Sequence, residues 1–596
     1  SGGGKNFQYT YAATRALDAR PIHYEGATRA GTAHTDIWSV MYPTLEKVNN
    51  EANNNSKGQP YFMCEYAHAM GNAVGNLKEY WDLIESSKYG IGGCIWDWVD
   101  QSIYDYEDIK NGTLKVNGMN KYRTGFDYPG PHQGNFVNNG LVTADRAWSP
   151  ELTNVKYVYQ YVKFIDYNVS TRNLTIKNDY DFISLGKFCM EYSVLIDGKT
   201  VENGRIDIPE VSPGDETILN IPYETEPVSG KEMLLNIKIC HKEELSWAES
   251  GYCIATEQYT LAERDNTAFT MNPDKELALT KTTQGYSVKS SRMEMTFKTD
   301  GTMLSWVVDG NKLMEVGPEY GNYRWVENDK PTETLSQYAV GPGIKSKSAT
   351  FKLSDDNKSV TVEVNASTWC SDYKFVYTIT ADGTMLIDAS YTATVSDARR
   401  IGMTMEFPAD FELVEYYAYG PYENYVDRRG GSTLGRYRTT VSDMFEPYPM
   451  PQSMGNREGL RDLLLFNPEE EIGISVQTRG NVAFSLQHYS DEHLKQTDHT
   501  WELEKGNVYA HFDCYQKGIG NGSCNQVATI DKYLIKNGTK YNCSLLFTPV
   551  TDIDTGISEV KDENGEPEGV YDLQGRKVET PKKGIYIING KKTLIK

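Results

Sequence analysis

Apolar residues recur along the first hundred positions with two different periods. Val74, Leu77, Trp81 and Ile84 are spaced 3, 4 and 3 apart, which puts them on one face of an amphipathic helix. Segments 7–18 and 45–53 also read as helices. Between them lie short apolar runs: Pro21-Ile22-His23-Tyr24, then Ile37-Trp38-Ser39-Val40-Met41-Tyr42, then Tyr61-Phe62-Met63-Cys64, then Ile91-Gly92-Gly93-Cys94-Ile95-Trp96. Runs of this length between helices predict buried parallel strands joined by crossover helices. Four strands fit, which is half of a (β/α)8 TIM barrel and makes residues 1–150 an α/β unit.

Near Pro150 the period changes to two. Residues 151–262 carry short alternating strands, at 174–177, 192–196 and 234–240, with Asp197-Gly198 as a hairpin turn. About a hundred residues of this kind predict an immunoglobulin-like β-sandwich. The β pattern continues from 272 to 550, where Asp300-Gly301, Asp309-Gly310 and Asp382-Gly383 punctuate strands at 293–297, 304–308 and 374–380. This predicts a large antiparallel β-sandwich domain. A polar linker, Asp562-Glu563-Asn564-Gly565-Glu566-Pro567, leads to a small C-terminal β unit within 560–596. The expected fold class is therefore multidomain α/β plus all-β.

Composition agrees with several packed cores. A chain of 596 residues with 39% hydrophobic and 12% aromatic content fits roughly three to five domains. The net charge of −22 argues against nucleic acid or an anionic membrane surface as partner. No apolar run is long enough to span a bilayer. The nine cysteines form no CxxC pair, so free, mostly buried thiols are expected rather than a disulfide framework or a zinc site. The chain opens Ser1-Gly2-Gly3-Gly4 and enters a helix at once, which reads as a break inside a domain.

Three motifs carry candidate chemistry. Cys64-Glu65-Tyr66-Ala67-His68-Ala69-Met70-Gly71-Asn72 places a carboxylate where an apolar strand ends, the rim on which barrel active sites are built. Trp96-Asp97-Trp98-Val99-Asp100-Gln101 sets indoles beside carboxylates at another strand end, a platform for a pyranose ring or a pair of core tryptophans with a capping Asp. Asn135-Phe136-Val137-Asn138-Asn139-Gly140 is, by itself, an Asn-Gly turn.

In this order the three motifs resemble the second half of the catalytic barrel in glycoside hydrolase family 2, specifically its large β-galactosidases. The resemblance includes Arg20-Pro21-Ile22-His23-Tyr24-Glu25-Gly26, Met41-Tyr42 and Ala144-Asp145-Arg146, then Tyr419-Gly420-Pro421-Tyr422-Glu423-Asn424-Tyr425 with Asp427-Arg428, and Gly518-Ile519-Gly520. It implies hydrolysis of terminal non-reducing β-D-galactose residues with retention, on a β-galactoside oligosaccharide or polysaccharide side chain. Glu65 matches the nucleophile and Tyr42 a tyrosine that hydrogen-bonds it. His68 matches a histidine that binds galactose hydroxyls, and Trp96 the floor under the sugar. Phe136, through its carbonyl, and Asn139 match ligands of a sodium ion.

A retaining glycosidase needs two carboxyl groups about 5–5.5 Å apart. The resemblance puts the acid/base Glu, which also binds magnesium, immediately before Ser1, with the other magnesium ligands further upstream. The chain departs from the family pattern at Arg123-Thr124-Gly125-Phe126 and Pro131-His132-Gln133. Asn521-Gly522-Ser523-Cys524 stands where a tryptophan for the aglycone is common. Relatives are often dimers or tetramers, so a homo-oligomer is expected.

Gly569-Val570-Tyr571-Asp572-Leu573-Gln574-Gly575-Arg576-Lys577-Val578 with Gly584-Ile585-Tyr586-Ile587 resembles the sorting tails read by type IX secretion systems. It implies export; a plain accessory β unit would leave a cytoplasmic protein. Against the enzyme reading stand a non-catalytic carbohydrate-binding or scaffold fragment and another family 2 exo-glycosidase specificity.

Overall fold

The computed structural model describes residues 4–31, 33–54, 58–271, 273–327, 343–396, 398–520, 529–550, 570–571, 584–588 and 591–595. The chain is mostly β, with few helices. Helices α1 (Lys5–Leu17) and α2 (Glu25–Arg29) precede β1 (Trp38–Met41), α3 (Leu45–Asn54), β2 (Tyr61–Tyr66), α4 (Leu77–Glu85) and β3 (Gly90–Ile95). The strands are parallel in the order β1-β2-β3. Tyr61, Met63 and Tyr66 of β2 pack against Val48 and Ala52 of α3 and Leu77, Tyr80 and Ile84 of α4, all buried. The periodic face read from sequence is thus the core face of α4. Val74, however, lies before the helix with φ 57°.

Residues 21–24 form no ladder strand, so this sheet has three strands among the described residues rather than the expected four. Pro21 has no N–H to give. The Ile22 N–H goes to the Asp36 carboxylate at 2.7 Å, and Glu25 begins α2 at once.

Two further helices follow, α5 (Tyr106–Asn111) and α6 (Pro150–Val158). Ser149 caps α6 by accepting the Leu152 N–H, with Pro150 in the first turn. Val155 and Val158 of α6 join the core of β2. The sequence pattern changes at Pro150, but the first sandwich strand is Val162–Asn168, because α6 packs back on the parallel sheet.

The sandwich pairs a three-stranded sheet (Glu216–Asn220, Asn173–Asn178, Val162–Asn168) with a four-stranded one (Cys253–Ala262, Met233–His241, Phe188–Ile196, Lys199–Asp207). Leu174, Ile176, Val194, Leu235 and Ile237 fill the space between them. Asp197 and Gly198 both have positive φ, 47° and 75°, the hairpin geometry that Asp-Gly favours.

Beyond it, sheets of five, nine and four strands share one large core. Near the C-terminus, Val570–Tyr571, Gly584–Ile588 and Lys591–Ile595 form a three-stranded antiparallel sheet. Among the described residues no helix is long and apolar enough to cross a membrane.

The expectation of free thiols fails at one pair. Cys514, on Val508–Gln516 of the four-stranded sheet, is bonded to Cys543, on Lys540–Val550 of the nine-stranded sheet. The two strands face each other across the core, which brings together cysteines 29 residues apart. Cys64, Cys94, Cys189, Cys240 and Cys253 are free, and Cys524 lies outside the described residues.

Candidate active site

Parallel pairing brings the carboxyl ends of β1, β2 and β3 side by side, and with them Tyr42 and the motifs at 64–72 and 96–101. Met41 is the register partner of Glu65. Just past β1, the Tyr42 N–H donates to the Glu65 carbonyl at 2.8 Å, and the Tyr42 hydroxyl hydrogen-bonds the Glu65 carboxylate. The His68 ring lies between Tyr42, 6.0 Å away, and Phe136, 5.5 Å away, centroid to centroid. Trp96 ends β3: its N–H donates to the Tyr66 carbonyl at 3.0 Å, and its carbonyl accepts the Ala69 N–H at 2.8 Å.

The turn 134–142 is zipped onto 97–101. The Asp97 N–H donates to the Asn139 carbonyl at 2.5 Å, Leu141 N–H to Asp97 at 3.0 Å, and Gln101 N–H to Val137 at 2.7 Å. The two backbones touch at Gly140, where a Cβ would overlap the backbone of Val99 and Asp100; only glycine fits. All six site residues singled out from sequence, Tyr42, Glu65, His68, Trp96, Phe136 and Asn139, therefore belong to one rim. Trp98, by contrast, is 59% exposed, so the two indoles are not a buried pair.

Burial raises the Glu65 pKa above the usual carboxylate range. The Tyr42 hydrogen bond opposes that rise, while the negative charges of Glu25 and Asp97 add to it. Glu25 carries no catalytic motif of its own in the sequence, yet its charge acts on Glu65. Burial brings His68 down to about 4, against the pull of Asp97, so its imidazole is neutral near pH 7. A half-buried carboxylate, a phenol, a neutral imidazole and an indole can hold a hydroxyl-rich ring and present a nucleophile to it.

Asn139 Oδ1 is buried with no hydrogen-bond partner, and Asn139 Nδ2 donates to the Phe136 carbonyl at 2.8 Å. An orphaned amide oxygen beside a backbone carbonyl fits a hard cation such as sodium, which takes oxygen ligands. Among the described residues no three His, Cys, Asp or Glu side chains are grouped to hold a metal.

Three domain descriptions match the chain in order. Residues 1–164 match the glycosyl hydrolases family 2 TIM barrel domain, 174–262 match domain 4 of β-galactosidase, and 289–547 match the β-galactosidase small chain. Along most of its length the chain is thus similar to glycosyl hydrolase family 2 and its β-galactosidases. It is 28% identical over 564 residues to a β-galactosidase of Priestia megaterium, covering 92% of this chain and 53% of that protein. It is 28% identical over 580 residues to one of Oenococcus oeni, covering 90% and 54%. The chain thus spans about half the length of these curated relatives. A solved galactose 1-epimerase from Lactobacillus acidophilus covers 48% of the chain, and 97% of that structure, at 10% identity and TM-score 0.25, too remote a likeness to carry an argument.

Proposed function

We propose that this chain forms part of a retaining family 2 β-galactosidase with Glu65 as its nucleophile. The observation that carries the reading is the seat of Glu65. It lies at the carboxyl end of a buried parallel strand, hydrogen-bonded by Tyr42, whose ring neighbours that of His68.

The Glu65 carboxylate attacks C1 of a terminal β-galactosyl residue as the bond to the aglycone oxygen breaks. That oxygen takes a proton from a second carboxylic acid. Water, deprotonated by the same group, then attacks C1, releases Glu65 and restores the β configuration. Tyr42 steadies the Glu65 carboxylate, neutral His68 bonds sugar hydroxyls, and Trp96 forms the floor. Phe136 and Asn139 would hold sodium, whose charge helps to orient a sugar hydroxyl. The proton-donating Glu and the ligands of the magnesium it binds are proposed to lie in a part of the protein other than these 596 residues. The resemblance supports this, as does the match to about half of each relative.

A β-galactoside oligosaccharide or polysaccharide side chain is the proposed substrate, and a homo-oligomer the proposed assembly. Export is proposed from the tail pattern, and the Cys514–Cys543 disulfide supports it, since such bonds persist in oxidising compartments.

The test is active-site labelling. The protein, in the longest form its gene encodes, is treated with 2-deoxy-2-fluoro-β-galactosyl fluoride and digested for mass spectrometry. The label is expected on Glu65; a label on any other residue sinks the assignment.

A further inference from the structure

The turn that carries His68 is built against the grain of its own backbone. Ala67, Val74 and Asn76 have φ of 45°, 57° and 49°, a region that residues with a Cβ avoid unless the surroundings impose it. Much of what imposes it comes from the large β-domain, 353 residues along the chain where Tyr425 meets Asn72. Gln452 Oε1 accepts the Asn72 N–H at 3.0 Å. Asn72 Nδ2 donates to the Tyr425 hydroxyl at 2.6 Å and to the Ser453 carbonyl at 3.0 Å.

Arg428 Nη1 donates to the Ala73 carbonyl at 2.8 Å, and the Asn76 N–H donates to the Asp427 carbonyl at 2.7 Å. At Gly71 a Cβ would overlap the Gln452 amide, so the two surfaces meet without a gap. Asn72, Tyr425, Arg428 and Gln452 are each at most 1% exposed, so water cannot replace these bonds. Arg428 also pairs with Glu423 of its own domain and Glu151 of α6, which locks the contact to the helix behind the parallel sheet. On the other side the turn is tied to the rim by the Ala69 N–H on the Trp96 carbonyl.

We propose that Tyr425, Gln452 and Arg428 are positioning residues for the glycosidic reaction. From a second domain they hold the turn 67–76, and thereby keep His68 in register with the Glu65 carboxylate. The proposal rests on the β-galactosidase reading and deepens it. None of the three touches the sugar; each acts through the backbone or the amide of Asn72 and Ala73. A displacement of about 1 Å in such a site costs on the order of 100-fold in rate, so breaking one bond of the clamp should be visible in turnover.

The experiment uses the longest form the gene encodes, an aryl β-D-galactoside as substrate, and four variants: Tyr425→Phe, Asn72→Ala, the two combined, and Gln452→Met. Tyr425→Phe removes a single hydroxyl and keeps the packed ring, so it decides the matter alone if Gln452→Met does not fold. The expected result is a kcat lowered roughly 10- to 100-fold with KM changed far less. The double variant should be no worse than Asn72→Ala, because both changes break the same bond.

A kcat per folded molecule equal to the parent's, whether or not Tm drops, overturns the proposal and leaves the clamp a stabilising contact only. A Glu65→Gln control separates the two claims. If it stays active, the assignment of Glu65 as nucleophile fails; if it is dead while Tyr425→Phe is unimpaired, only the positioning role fails.

Discussion

Glu65 feels a hydrogen bond from Tyr42 that favours its charge, and burial with two neighbouring carboxylates that oppose it. A nucleophilic carboxylate works only when ionised, so activity is lost as pH falls through its pKa, and a raised pKa moves that acid limb to higher pH. Glu25→Gln removes one opposing charge. It is expected to shift the acid limb of kcat/KM to lower pH. Tyr42→Phe is expected to shift it up and to lower kcat. Two pH–rate profiles check both, and shifts in the reverse directions would contradict the balance of forces described for Glu65. Glu65 itself was legible in the sequence, because a carboxylate after an apolar run marks a strand end. The influence of Glu25 was not, since a charge acting through space leaves no periodicity to read.

At the scale of elements, the parallel strands and α4 were readable because burial imposes a period on them. The turn that completes the site was not. Its pairing with 97–101 joins two irregular stretches about forty residues apart (the Gly140 N–H reaches Asp100 Oδ1 at 2.8 Å), and irregular backbone has no repeat. Residues 21–24 misled for the complementary reason: they are apolar enough for a strand, but Pro21 has no N–H and the Ile22 N–H goes to the Asp36 carboxylate. The close approach at Gly140 gives the element-scale test. Gly140→Ala is expected to destabilise the protein by about 1–3 kcal/mol, the usual cost of overpacking, and to weaken galactoside binding by displacing Trp96 and Asn139. Denaturant unfolding and ligand titration would show it; a variant with unchanged stability would mean that the two segments can separate freely.

On the whole-molecule scale, the parallel-sheet segment and the large β-domain meet over buried acids. Asp100, Glu151 and Glu446 line a cavity of about 60 Å3 between them. Burial pushes Asp100 up to about 7 and raises Glu446 as well. A carboxyl that holds its proton when folded and releases it when unfolded stabilises the fold below its ordinary pKa, and that contribution is lost as pH rises through the folded value. Tm is therefore expected to fall between about pH 5 and about pH 8, and Asp100→Asn to flatten the slope; an unchanged slope would remove Asp100 from the account. The existence of several domains was evident from the change in hydrophobic period, but the meeting of these acids was not, because it depends on contacts between distant segments. The same holds for Cys514 and Cys543, which no spacing rule would pair. That bond has a practical corollary. It encloses residues 515–542, so the ring can close only after the second cysteine has left the ribosome, and only where thiols are oxidised. A recombinant host that makes the protein in a reducing cytosol would deliver an unstapled β-core, losing on the order of 3 kcal/mol, and the choice of host would set how robust the purified material is.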